Sequence, residues 1–215
     1  LALYAALAEM VDAGRLDLVS LPTLVVEPLV ELVGRFRRAH PGVLVRISEP
    51  EDSADLIEQV RSGEAELGLG DTVPDDASLE GHLIGRQRML AVLPPGTDLG
   101  SSTSLAATRL ASFPLITTPR GTSTRRLLTT ALRDRDPDAD PAIGVVTEHR
   151  EAIVPLVMAG AGAAVLPEPL ARNAAALGAT VAPLSPRVER EVVLVHRRGA
   201  LSPAAEVFRA LADGG

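Results

Sequence analysis

Apolar positions along the chain alternate between two periods. Leu29, Leu32, Val33 and Phe36 recur at i, i+3, i+4 and i+7, which predicts an amphipathic helix to about His40. Pro28 falls in its first turn, where the missing N–H costs nothing. Short apolar runs flank it, Leu16–Val19 before and Pro41–Glu49 after, and both predict strands. Asp52 or Ser53 then caps a helix carrying Leu56, Ile57 and Val60, Gly63 ends it, and Ala65–Gly70 is a third strand. Strand, helix, strand, helix, strand is the doubly wound pattern, whose crossovers imply a mostly parallel sheet. Leu1–Gly14 reads as a helix with Leu3, Leu7, Met10 and Val11 on one stripe and Gly14 as its stop.

The alternation repeats further on. Two extended pieces in His82–Pro95 lead into a loop of Gly, Ser and Thr. Then come strand Pro114–Thr118, helix Ser123–Arg133, strand Ile143–Thr147, helix Glu151–Ala159, strand Gly162–Pro167, helix Glu168–Leu177 and strand Thr180–Leu184. A last strand, Glu189–Arg198, precedes a helix with Ser202 as N-cap and Pro203 at N1. The shift in composition places a domain boundary near 88–94. The pattern predicts an α/β protein of two lobes joined by two hinge strands: 15–88 with 190–215, and 89–189.

Composition narrows the function classes. Hydrophobic residues make up 46% of 215, enough to close a core, and no apolar run reaches the roughly 18 residues of a membrane span. The start, with Glu9 and no basic residue before its apolar part, is unlike a signal peptide, so the chain reads as cytoplasmic. Beginning at Leu1 rather than Met, it reads as a fragment. No cysteine excludes disulfides and thiolate chemistry. A net charge of −7 argues against a nucleic-acid surface, and with 2% aromatics base-stacking platforms are not expected.

Catalytic and metal motifs are missing. His40, His82, His149 and His196 stand apart, with no H-x-H or H-E-x-x-H pair, so no metal site is expected. Asp134–Pro141 alternates acids as a calcium loop does, yet lacks the glycine at position six and the glutamate at twelve. Gly160 and Gly162 follow a helix instead of opening one, and Val165 stands where the third glycine of a dinucleotide loop belongs. There is no G-x-S-x-G elbow and no P-loop. No enzyme activity and no cofactor are expected.

What remains is a set of junctions where a strand hands over to a helix. Such a junction turns backbone N–H groups and the positive end of the helix dipole outward, a site for a carboxylate or other anion. Ser20, Pro22 and Thr23 form the first, where N-capping alone would equally select Ser20 or Thr23. Thr118, Arg120, Thr122 and Ser123 form the second, and the Arg120 guanidinium is suited to clamp a carboxylate. Thr147 and Glu148, followed by His149 and Arg150, form the third. Gly70 ends the third strand. These helix starts, with Arg120 and Arg150, point to a small anionic effector.

The stretches "LPTLVVEPLVELVGRFRRAHPGVLVRI" (Leu21–Ile47), "IEQVRSGEAELGLG" (Ile57–Gly70), "FPLITTPRG" (Phe113–Gly121) and "AIVPLVMAGAGAAVLPEPLA" (Ala152–Ala171) together resemble the effector-binding domain of a LysR-type transcriptional regulator. The resemblance implies a type 2 periplasmic-binding-protein-like fold with a small effector held between two lobes. It implies that Ser20, Pro22 and Thr23 line that cleft and that the turn at Ala161 and Gly162 approaches it. It makes residues 1–14 the end of a linker helix and places a winged helix-turn-helix domain upstream, through which alone DNA would be bound. It also implies a homodimer, tetrameric in the full-length protein, with the helices around Leu29–Phe36 and Leu127–Leu132 as pairing faces. A solute-binding protein of a transport system is the other reading of this fold.

Overall fold

Residues 14–133 and 142–214 are described by the computed structural model. The linker-helix reading of 1–13 and the acidic loop 134–141 lie outside the described residues. Gly14 opens β1 (Gly14–Ser20), at φ 149°. The chain divides into two compact units, one reaching to Arg86 and resuming at Glu191, the other spanning Gln87–Arg190.

In unit 1, β1 pairs in parallel with β2 (Val43–Ser48) and β3 (Leu67–Gly70), Leu18 standing opposite both Ile47 and Leu67. The connecting helices supply the crossovers that parallel pairing needs. The sheet is mixed, because β9 (Thr180–Arg197) lies antiparallel to β3, with Gly68 opposite Val195. Beyond β9 lies β4 (Leu79–Leu93). Leu16, Leu18 and Val19 are buried because β1 has neighbours on both sides and helices over its faces. Edge strand β2 leaves Leu44 and Ile47 exposed.

Sequence signals locate the helix ends. Asp52 accepts from the amides of Ala54 and Asp55 at 2.8 and 2.9 Å and so caps helix Ser53–Ser62, which Gly63 ends at φ 86°. Arg197 donates to the Val60 carbonyl at 2.6 Å at that C-terminus. Ser202 caps helix Pro203–Ala212, accepting from Ala205 N at 3.2 Å, and is itself held by Glu66. Phe36 and Phe208 meet edge to face at 5.5 Å in the middle of this core. After β1 the chain makes one turn at Pro22–Leu24, kinks at extended Glu27 (φ −158°) and enters the helix that the periodicity predicts, regular from Val30 to Ala39. Glu27 alone leaves helical φ/ψ there, so Pro28 and Leu29 lead straight into that helix and Pro28 sits at its first turn, where its missing N–H costs nothing. Leu29, Leu32 and Phe36 point into the core of their own unit, so they form no outward pairing face.

In unit 2, the second half of β4 runs antiparallel to β8 (Ala164–Pro167). Met89, Ala91 and Leu93 alternate with Leu90 and Val92, and the two sets join different core clusters, one with Leu128 and Leu132, the other with Ile153 and Val157. A strand buried on both faces reads as a continuous apolar run for this reason. Leu128 and Leu132 are accordingly spent inside the unit. β6 (Leu115–Thr117) pairs with β7 (Ile143–Val146) in parallel. The Gly-Ser-Thr loop yields a short β5 (Leu105–Ala106), parallel to β9, and a turn of helix at Ala107–Leu110. The extended pieces expected at 180–184 and 189–198 are one strand of 18 residues, and those in 82–95 are one of 15.

Candidate functional site

Unit 2 holds the most developed junction. β6 ends at Thr117 and the helix Ser123–Arg133 follows, 11 residues long. Between them Gly121 adopts φ 93°, turning the backbone into the helix. Thr122 donates from Oγ1 to the Pro119 carbonyl at 2.9 Å and accepts from Arg125 N at 3.4 Å, which makes it the N-cap. Because that proton is committed to Pro119, the 2.6 Å bond between Thr118 and Thr122 is donated by Thr118, which is buried. The two threonines therefore shape the turn, and their hydroxyl protons are spent within it.

The groups left to meet an anion are others. Arg120 is exposed on the turn, and the first helical turn carries no acidic residue but has Arg125 and Arg126, the latter donating to Gly121 O at 3.2 Å. Cations at the positive end of a helix are unfavourable alone, and an anion would offset both charges. Thr117, one position before the residue the sequence pointed to, is 3% exposed, and its hydroxyl has no hydrogen-bond partner among the described residues. An orphaned buried hydroxyl costs about 1–3 kcal/mol. Arg88 on β4 has the same property at Nε. Neither was legible from spacing, since being orphaned depends on every neighbour.

The other junctions are weaker than the sequence implies. Ser20 is fully buried, with its hydroxyl 3.2 Å from the Leu21 carbonyl, and the turn Pro22–Leu24 has Leu21 as N-cap with no side-chain cap bond. Thr23 is half-buried beside it. The kink at Glu27 separates the turn Pro22–Leu24 from the helix that follows, so no continuous macrodipole points at Ser20. At the third junction Thr147 accepts from His149 N at 3.0 Å in a local turn, Glu148 is exposed, and the chain passes through a single turn at Arg150–Ala152 into a helix of 6 residues. Three full helix starts are thus reduced to one, at Ser123.

Two glycines also sort differently. A Cβ on Gly162, at φ 154°, would stand 2.2 Å from the Pro114 carbonyl oxygen, where the Ala163 amide bonds Pro114 at 2.8 Å. Gly162 is required by close backbone packing, and half-buried Ala161 follows the helix end with its amide on Leu156 O. Gly70 has only ordinary contacts to Leu56, so its place is not set by lack of space.

In unit 1, two histidines far apart in sequence are brought together. Glu80 and His82 alternate on β4, which by the strand period puts them on one face, and His196 lies on neighbouring β9. Their ring Nε2 atoms are 3.0 Å apart, and Glu80 Oε2 lies 3.8 Å from each. Motif spacing could not show this grouping, because the two histidines are 114 positions apart and only strand order joins them. Elsewhere, Ser78 donates its hydroxyl and amide protons to Asp76, holding that carboxyl below its usual range. Glu206 holds the Arg209 guanidinium above its usual range.

Comparison with known proteins is consistent with this architecture. The chain is 26% identical over 165 residues to the HTH-type transcriptional regulator IlvY of Escherichia coli (strain K12), covering 75% of this chain and 54% of that one. It therefore spans about half the length of the curated relatives it matches. Among solved structures, the effector binding domain of QuiR in complex with shikimate superposes with a TM-score of 0.78 at 20% identity, over 93% of this chain and 95% of that one. The regulatory domain of CcmR from Synechocystis PCC6803, in complex with 2-PG, superposes with a TM-score of 0.79 at 20% identity, over 93% and 96%. These likenesses establish the α/β, type 2 periplasmic-binding-protein-like fold. The family model of the LysR substrate binding domain matches residues 11–214, and the chain belongs to that family.

Proposed function

We propose that this chain is the effector-sensing domain of a DNA-binding transcriptional regulator, and that its effector presents an anionic group to the junction Thr117–Thr124. The observation that carries the reading is the helix start at Ser123, with Arg120, Arg125 and Arg126 around it, no acid in its first turn and the buried Thr117 hydroxyl beside it. Two domains of similar fold were solved with a small molecule, shikimate or 2-PG, which supports a sensing role. The effector is bound without turnover. Ligand control then requires different affinities for two arrangements of the protein.

Calorimetric titration with a panel of small carboxylates and their uncharged amide analogues tests the reading. Tighter binding of the acids, lost at least tenfold in Arg120→Ala, is the expected result. Preference for the amides, or an unchanged affinity in that variant, overturns it. Ser20→Ala and Thr23→Ala variants that also weaken binding would extend the site to the unit 1 turn.

Partners follow from the family. We infer that DNA is contacted through a helix-turn-helix domain of the kind that the name of IlvY records, and that the protein works in the cytoplasm as a homodimer, tetrameric at full length. The apolar side chains left exposed around the Val30–Ala39 helix and edge strand β2, namely Val26, Val30, Leu44 and Ile47, support self-association there in place of the buried leucines. A monomer at all concentrations in sedimentation would refute it. Among the described residues no helix is long and apolar enough to cross a membrane.

A further inference from the structure

We propose that Glu80, His82 and His196 form a binding site for one divalent transition-metal ion of the zinc class, wholly within unit 1. Each ligand is prepared by its surroundings. His196 is 4% exposed, and its Nδ1 lies 2.7 Å from the Arg197 carbonyl. A carbonyl only accepts, so Nδ1 carries the proton and Nε2 presents a bare lone pair. This is the backbone hydrogen bond that orients metal-binding histidines. Glu80 is prepared likewise: its Oε1 accepts from Arg198 Nη1 at 2.9 Å, which leaves Oε2 for the ion.

The spacings suit a small ion. Nε2 to Nε2 is 3.0 Å and each Nε2 to Glu80 Oε2 is 3.8 Å. Both lie within about 0.5 Å of the roughly 3.3 Å edge of a tetrahedron with bonds near 2.0–2.1 Å. In the absence of an ion, the His82 Nε2 proton bridges the two rings; a divalent ion replaces that proton. Two nitrogens and one carboxylate oxygen favour zinc-like ions over calcium or magnesium, which take oxygen donors. A solvent-open depression of about 490 Å³ adjoins the site, lined by Glu80 and His82 and also by Asp75 and Asp76. Asp75 and Asp76 outweigh the one cation in that lining, Arg198, and the open volume leaves room for water in the fourth position. The bound ion would fasten the start of β4 to the end of β9, the two strands through which the chain enters and leaves unit 2.

The test is titration of the chelator-stripped chain with Zn²⁺ by calorimetry and with Co²⁺ by visible absorption. One ion per chain is expected, with the intense visible spectrum of four-coordinate Co²⁺ and a raised melting temperature. His82→Gln, whose side chain is partly exposed, should keep the far-ultraviolet circular dichroism of the parent and lose about 10- to 100-fold in affinity, as should Glu80→Gln. His149→Gln, on an exposed turn, should leave binding unchanged. No uptake of Zn²⁺, or uptake that persists undiminished in His82→Gln and His196→Gln, overturns the proposal.

Discussion

Helix starts in the two units are built from the same parts and differ in charge. In unit 1 the helix Ser53–Ser62 opens on Asp52, whose carboxylate already occupies two amides, with Asp55 in the first turn. In unit 2 the helix Ser123–Arg133 opens on a neutral threonine, and arginines take the place of acids. The backbone geometry of a helix N-terminus is common to both. Whether that end carries an acid or a cluster of cations is decided by one side chain at the cap and two or three around it.

Substitutions sharpen that contrast. The largest effect belongs to packing: Phe208→Ala removes the ring that meets Phe36 and should cost about 3–5 kcal/mol in denaturant unfolding, without touching unit 2's junction. Gly162→Ala forces a Cβ against the Pro114 carbonyl and should destabilise by about 3 kcal/mol. Gly70→Ala meets only ordinary contacts and should change stability by less than about 1 kcal/mol.

Thr122→Asp gives the unit 2 helix the kind of cap that unit 1 has. Stability should hold, since aspartate caps as well as threonine, while anion affinity should fall at least tenfold, or about 1.4 kcal/mol. An unchanged affinity would remove the helix start from the site. The reciprocal Asp52→Ala should cost about 1 kcal/mol of stability and leave anion binding alone.

The smallest effect is that of Asp76. Its carboxyl is held below the ordinary 3.8 by Ser78, so its contribution to stability is present above that value and disappears as pH falls through the lower folded value. Unfolding of Asp76→Asn should differ slightly from the parent at pH 7 and match it in strong acid, because the group is exposed and screened.

Much of the fold could be read from local signals, and particular residues show why. Asp52, Gly63 and Ser202 cap and end helices where expected, since a cap involves only residues a few positions away. The extended pieces in 82–95 and the separate strands 180–184 and 189–198 are each one continuous strand, because neighbouring strands hold them. In the candidate site, the turn Thr118–Ser123 was legible as a strand end meeting a helix start. Thr117 was not, because an unpaired hydroxyl is a statement about every atom around it.

The chain's own pattern determined the order and kind of its elements, the caps that start its helices and the glycines that stop them. These are short-range matters of period and hydrogen-bond reach. Tertiary structure alone decided that Leu29, Leu32 and Phe36 face inward, that Gly162 admits no side chain, and that His82 and His196 share one place. Each of those depends on which strand lies beside which, and contacts between residues far apart in sequence exist only once the sheet has formed.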